Sequence, residues 1–172
     1  MSMRTAKPLA ARRLSSPIGT LTLVARDAGL AAVLWPDDAP TRVPLGAMDD
    51  AADHPILDLA EAQLTEYFRG ERTEFTVPLD FAGTAFQRQV WAALLTIPFG
   101  QTRSYAAIAA QIGRPTATRA VGAANGRNPI SILAPCHRVI GASGKLTGFA
   151  GGLGVKKWLL AHESSDATFA SG

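Results

Sequence analysis

Cys136, His137 and Arg138 stand on consecutive residues, and Cys136 is the only cysteine of the 172-residue chain. A soft nucleophile, a titratable base and a cation therefore share one short segment. Thiolate rather than thiol attacks carbon, and cationic or imidazole neighbours lower a cysteine pKa from about 8.5 to about 3.5–7.5. These residue types spell a reactive sulfur with a base at hand. A lone cysteine in an apolar run is ordinarily a small buried hydrophobe, but Pro135 before it and the polar pair after it argue against a plain core strand. A Cys–His pair usually needs a third group to orient the imidazole. No carboxylate occurs between Asp80 and Glu163, so Glu163 is the candidate, the alternative being a solvated residue at a helix end. Adjacent residues of an extended segment face opposite sides, which predicts that Cys136 and His137 couple through a water instead of touching.

The chain that must position this segment is electrostatically divided. Residues 1–80 carry eight Lys/Arg against twelve Asp/Glu, a net of −4, and residues 81–172 carry nine against two, a net of +7, giving the overall +3. Arg88, Arg103, Arg114, Arg119, Arg127, Arg138, Lys145, Lys156 and Lys157 all fall in the acid-free interval. A one-signed stretch of that length fits a polyanion, nucleic acid first; a solvated basic surface is the plainer alternative. With 47% hydrophobic residues the chain can bury a core, in one domain or two small ones. One cysteine excludes an intrachain disulfide, and His54, His137 and His162 lack zinc-ligand spacing. No metal is expected, and a reducing cytoplasm fits. Met1 to Arg13 carries Arg4, Lys7, Arg12 and Arg13 but no apolar run of signal or membrane length.

Composition changes around residues 80–83, which predicts a small α+β N-terminal domain over residues 1–80 and a mainly helical domain over residues 81–172. Alternation from Leu14 to Leu34 around Pro17–Gly19 and Asp27–Gly29 predicts a hairpin and a further strand near residues 33–35. Residues 36–52 read as loop. Ile56, Leu59, Ala60, Leu64, Tyr67 and Phe68 recur at helical spacing, and residues 73–79 suit another strand. No chemistry is legible in this half. In the second half, Thr84 caps a helix carrying Phe86, Val90, Trp91, Leu94 and Leu95. Ser104 caps the next, Tyr105 to Ile112; Gly113 stops it, and Thr116 caps a helix from Ala117 to about Arg127. Two short helices around a tight glycine turn form a helix-turn-helix. Ala117, Ala120, Gly122, Ala123, Ala124 and Gly126 leave the second helix nearly free of bulk, which suits close approach to a DNA groove or to another helix. Asn128-Pro129 ends it and tethers Cys136 to it. A glycine-rich loop over residues 141–152, carrying Lys145, leads to a last helix from about Val155 that ends at Glu163.

The segment Pro135-Cys136-His137-Arg138-Val139-Ile140, with Arg119-Ala120-Val121-Gly122 and Asn128-Pro129 before it and Gly151-Gly152 and residues 158–163 after it, closely resembles the O6-alkylguanine-DNA alkyltransferases, also called methylated-DNA-protein-cysteine methyltransferases. The resemblance covers nearly all of residues 80–163 and, more weakly, the hairpin at residues 16–19. It implies a winged-helix-like helix-turn-helix protein that moves the alkyl group of O6-alkylguanine, and of O4-alkylthymine, from double-stranded DNA irreversibly onto its own cysteine. Such a suicidal methyltransferase turns over once, as a monomer and without cofactor. By this resemblance Cys136 accepts the alkyl group, His137 acts through water as base, Glu163 orients His137, and Asn128 holds the active-site turn. Tyr105 crowds the target phosphate and helps protonate the departing guanine, Arg119 fills the space left in the duplex, and the Val139 carbonyl reads the exocyclic amine. Phe149 and Ala150 line the base pocket; Ser104, Thr118, Ala120 and Gly122 join Arg119 and Tyr105 at the DNA. Elementary chemistry agrees, since displacement at carbon needs a soft nucleophile, a proton donor and no metal, and the base must leave the stack to reach a protein pocket. Vertebrate relatives carry tyrosine, serine and proline where this chain has Phe149, Ala150 and Ser131, so oxygen recognition would rest on the Ala150 N–H. The rival classes are a non-catalytic DNA sensor, which would lack the cysteine, and a cysteine hydrolase.

Overall fold

Alternating apolar residues close the first sheet around two tight turns. Strands β1 (Leu9–Ser16) and β2 (Gly19–Arg26) pair antiparallel in the register Leu14↔Leu21 and Arg12↔Leu23, and β3 (Gly29–Leu34) adds to β2 with a bulge at Val24/Ala25. Gly19 has φ of 106°, a conformation that glycine adopts freely. The sheet order is β3-β2-β1-β4, the last being the two-residue strand Met48–Asp49 parallel to β1. The computed structural model describes residues 9–39, 41–50, 53–144, 146 and 148–169; Arg4, Lys7 and Lys145 lie outside them. The two faces divide as period-two alternation requires. Leu21, Leu23 and Ala25 pack against Leu57, Ala60, Leu64 and Tyr67 of helix α1 (Pro55–Phe68), while Ala11, Val24 and Ala32 meet Val43 and Leu45.

Residues 73–79 do not form the expected strand. Leu79 alone bridges to Leu30, because Pro78 has no N–H to extend a ladder. The segment is pinned instead by Gln63, whose Oε1 accepts the Thr76 N–H at 2.8 Å and whose Nε2 donates to Thr76 Oγ1 at 2.6 Å.

Helix α2 (Ala85–Leu94) opens on a full capping box between Thr84 and Gln87, and helix α3 (Tyr105–Gln111) on Ser104, whose hydroxyl accepts the Ala107 N–H at 3.0 Å. Helix α4 spans Thr118–Gly126 with Ala117 at its cap position and no side-chain cap bond, so Thr116 does not serve as the cap. Trp91 Nε1 donates to the Ala124 carbonyl at 2.8 Å and locks α2 to α4. A short parallel pair, β5 (Arg103–Ser104) with β6 (Val139–Ile140), joins the start of α3 to the residues after the cysteine. Helix α5 runs Leu153–Phe169, so Glu163 lies within it rather than at its end. Ile130, Ile132, Leu133 and Leu159 pack into the core of the first sheet, and the two halves share one buried cluster. The fold is thus an α+β N-terminal half followed by a helical half with a helix-turn-helix.

Candidate active site

The chain leaving α4 is folded back by one side chain. Asn128 is fully buried; its Nδ2 donates to the Ala134 carbonyl at 2.8 Å and its Oδ1 accepts the Ile130 N–H at 3.1 Å. Between these bonds Ile132 is held at φ of 73°, uncommon for a β-branched residue and costing on the order of 1–3 kcal/mol. The turn delivers Cys136 to the first position of a 3₁₀ turn, Cys136–Arg138. The expected extended geometry is therefore absent. The ring of His137 is committed to Glu163.

Glu163 is the hub of the site. His137 Nε2 lies 2.7 Å from Glu163 Oε2, Arg138 Nε donates to Oε1 at 2.7 Å, Arg138 Nη2 donates to Oε2 at 3.0 Å, and the Tyr67 hydroxyl donates to Oε2 at 2.6 Å. The remaining guanidinium nitrogen donates to the Ile97 carbonyl at 2.6 Å. Burial alone would raise this carboxyl, but the donors His137 and Arg138 override it and hold it at about 2. An ionised carboxylate only accepts, so Nε2 carries the hydrogen of neutral His137 and Nδ1 is left as a lone pair. That Nδ1 is buried and has no protein partner among the described residues.

The sulfur is not activated in the way that counting its neighbours suggests. Burial pushes the Cys136 thiol up, against the opposing influence of the nearby Asn128 and Ser131 side chains and the charges of Arg42 and Lys156. Burial likewise pushes His137 down, against its bond to Glu163. The resting site therefore holds a neutral thiol and a neutral imidazole.

Around the sulfur, Val90, Ile108, Val121 and Val139 form one buried cluster with Tyr105 and Phe149 at its margin. Lys156, fully buried, donates to the Val139 carbonyl at 2.7 Å, which leaves that oxygen a second lone pair for a ligand. Tyr105 lies over α4, where a Cβ on Gly122 would sit 3.8 Å from its ring. Val121, Ala124 and Asn125 turn inward, whereas Thr118, Arg119, Ala120 and Ala123 are exposed, so the small residues of α4 serve both internal packing and an open face. Ala150 is exposed and Phe149 half-buried.

Three contributors from the first half were not legible in the sequence. Tyr67 reaches Glu163. Arg42, paired with Asp38 through two bonds of 2.6 Å, donates Nη1 to the Asn128 carbonyl at 2.9 Å and to that of Gly126 at 3.2 Å. Trp35 packs edge-on to Phe149 at 5.5 Å, and a Cβ on Gly151 would come within 2.9 Å of its indole. Gly151→Ala should consequently lower stability by about 1–3 kcal/mol through overpacking, read as a reduced melting temperature; an unchanged melt would show that this loop yields freely.

Two family models match, the 6-O-methylguanine DNA methyltransferase ribonuclease-like domain over residues 11–81 and the DNA binding domain of the same family over residues 85–165. Methylated-DNA–protein-cysteine methyltransferases of Mycobacterium tuberculosis and Mycolicibacterium paratuberculosis are 52% and 53% identical, covering 91% and 88% of this chain and 93% and 90% of theirs. The crystal structure of M. tuberculosis OGT in complex with DNA superposes with a TM-score of 0.81 over 91% of this chain and 93% of that one. Sequence, fold and the buried Cys-His-Glu arrangement converge, and the chain belongs to the methylated-DNA–protein-cysteine methyltransferase family.

Proposed function

We propose that this protein repairs double-stranded DNA by transferring the alkyl group of O6-alkylguanine, and of O4-alkylthymine, to Cys136, one turnover per molecule, acting as a cytoplasmic monomer. The observation that carries this reading is the buried His137–Glu163 pair beside the only cysteine, at the foot of a helix-turn-helix. Nδ1 of His137 takes the thiol proton through a water, and Glu163 and Arg138 hold the imidazolium so formed in a fixed place. Sulfur attacks the alkyl carbon; the S–C bond forms as the C–O bond breaks, its electron pair passes to guanine, and Tyr105 supplies a proton to the departing base. Val139 reads the exocyclic amine with its free lone pair, and Phe149 and Ala150 line the base pocket. Asn128 fixes the turn.

DNA lies on the exposed side of α4, against Ser104, Thr118, Arg119, Ala120 and Gly122, where small residues admit a minor groove that offers little sequence information. Residues 81–172 carry the chemistry, and residues 1–80 brace them. Incubation with duplex carrying labelled O6-methylguanine tests the reading. Label should reach the protein at up to one equivalent and stay there; release of free product would indicate a hydrolase instead.

If Arg119 enters the duplex in place of the flipped base, Arg119→Ala should slow repair of duplex DNA by about tenfold or more while leaving reaction with free O6-benzylguanine near wild type. A phosphate contact predicts a weaker salt dependence, with the slope reduced by about one, and rescue at low salt. Measuring both substrates at two salt concentrations separates the two.

A further inference from the structure

We propose that Tyr67, in the N-terminal half, is a positioning residue for alkyl transfer: its hydroxyl holds Glu163 Oε2 and so sets how strongly that carboxylate takes the Nε2–H of His137. The inference rests on the alkyl-transfer reading above and extends the site across the division of the chain. Tyr67 is fully buried and grips α5 at both ends. Its hydroxyl donates to Glu163 at 2.6 Å, and its main-chain carbonyl lies 2.7 Å from Nε2 of the neighbouring His162. The ring is wedged among Phe68, Phe75, Phe99 and His162, at centroid distances of 5.3, 5.6, 6.3 and 5.0 Å. An aromatic residue used only for packing would not need a buried hydroxyl aimed at a carboxylate.

Oε2 serves three donors, His137, Tyr67 and Arg138. The phenol therefore competes with the imidazole for one oxygen and draws off part of its negative charge. Burial and the facing carboxylate raise Tyr67 far above the ordinary phenol range, so it remains a donor at every pH the protein survives. The charged or titratable groups facing His137 are Glu163 and Lys156 from α5 and Arg138 from its own turn; those facing Tyr67 are Glu163 and Arg138. None of the others occupies the phenol's place on Oε2.

Tyr67→Phe in the full-length chain keeps the ring, its packing and the main-chain bond to His162, and removes one hydrogen bond to a charged oxygen. His137, observed by NMR in the unreacted protein, should titrate about one pH unit higher, the acid limb of the transfer rate should move with it, and the neutral-pH rate should fall several-fold. DNA affinity should not change. A lowered rate with unmoved His137 titration would assign Tyr67 to packing and overturn the proposal. In a cycle with Glu163→Gln, the loss from Tyr67→Phe should largely vanish; full additivity would also overturn it. If Tyr67→Phe does not fold, 3-fluorotyrosine at position 67 carries the test, since a more acidic phenol should shift the His137 titration downward, and no shift refutes the coupling. Failure of the wild-type chain to take label from O6-methylguanine would sink the alkyl-transfer reading alone, because the His137 titration is read without substrate.

Discussion

Cys136→Ser and Cys136→Ala will abolish transfer of a labelled methyl group to the protein while leaving DNA affinity within about twofold of wild type. The sulfur contributes no charge to the exposed face of α4 and is buried at 4% exposure, so it cannot touch a phosphate. On the proposed function, binding draws on Arg119 and its basic neighbours, whereas chemistry draws on a soft nucleophile that oxygen does not replace. Serine is the sharper test of the two. Its hydroxyl occupies nearly the same volume and keeps the access of Asn128 and Ser131, but its proton is held far more tightly than a thiol's, and a neutral imidazole at Nδ1 cannot remove it at useful rates. Filter binding and label transfer on the same duplex measure both quantities. Loss of binding in step with activity would mean that Cys136 supports the fold of the site.

Glu163→Gln should have the second largest effect, and on two observables at once. It leaves Arg138 buried without a counter-charge and offers His137 Nε2 a neutral partner, so stability should fall by about 3–5 kcal/mol. Transfer should slow by about 10²- to 10⁴-fold, the range seen when a base loses its orienting carboxylate. The pH dependence follows from the directions of the shifts. Folding lowers both groups, so the unfolded chain binds protons that the native one refuses, and stability rises with pH. On acidification the wild-type chain should begin to lose stability below about 6.5, where unfolded histidine takes a proton that buried His137 does not. A second loss should follow between 4.5 and about 2, where the unfolded carboxyl protonates first. Glu163→Gln should lack the second increment. Denaturant melts of both proteins between pH 3 and 8 give the slopes, and parallel slopes below pH 4.5 would refute the assignment.

The grouping of the candidate site was partly legible because the second half offers few residue types of this kind. One cysteine, an adjacent histidine and an 82-residue interval without an acid make Glu163 a candidate partner, and the structure places its carboxylate 2.7 Å from His137. What the sequence pattern missed came from the first half, 96 residues away in the case of Tyr67 and 86 in that of Arg42. Tyr67 sits at a helical repeat where an aromatic residue signals core, and nothing in that periodicity distinguishes a hydroxyl that is aimed from one that is merely enclosed. The solvated helix end that the sequence also allowed for Glu163 is not what the structure shows, because the helix continues past it and pairing with Arg138 permits its burial. The low thiol pKa expected from cationic neighbours failed for a related reason. Proximity in sequence counts charges but not the desolvation that opposes them.

Cys136 lies inside a close-packed cluster rather than on a rim, and this gives the protein a memory. A methyl group on that sulfur adds volume where side chains already interdigitate, and such insertions cost about 1–3 kcal/mol. It also removes the one thiol that the Asn128 amide and the Ser131 hydroxyl face. Spent and unused molecules therefore differ in their resistance to unfolding as well as in chemistry. Cellular quality control, which samples the population of open states, could sort the two without a dedicated reader of the lesion or of the modified residue.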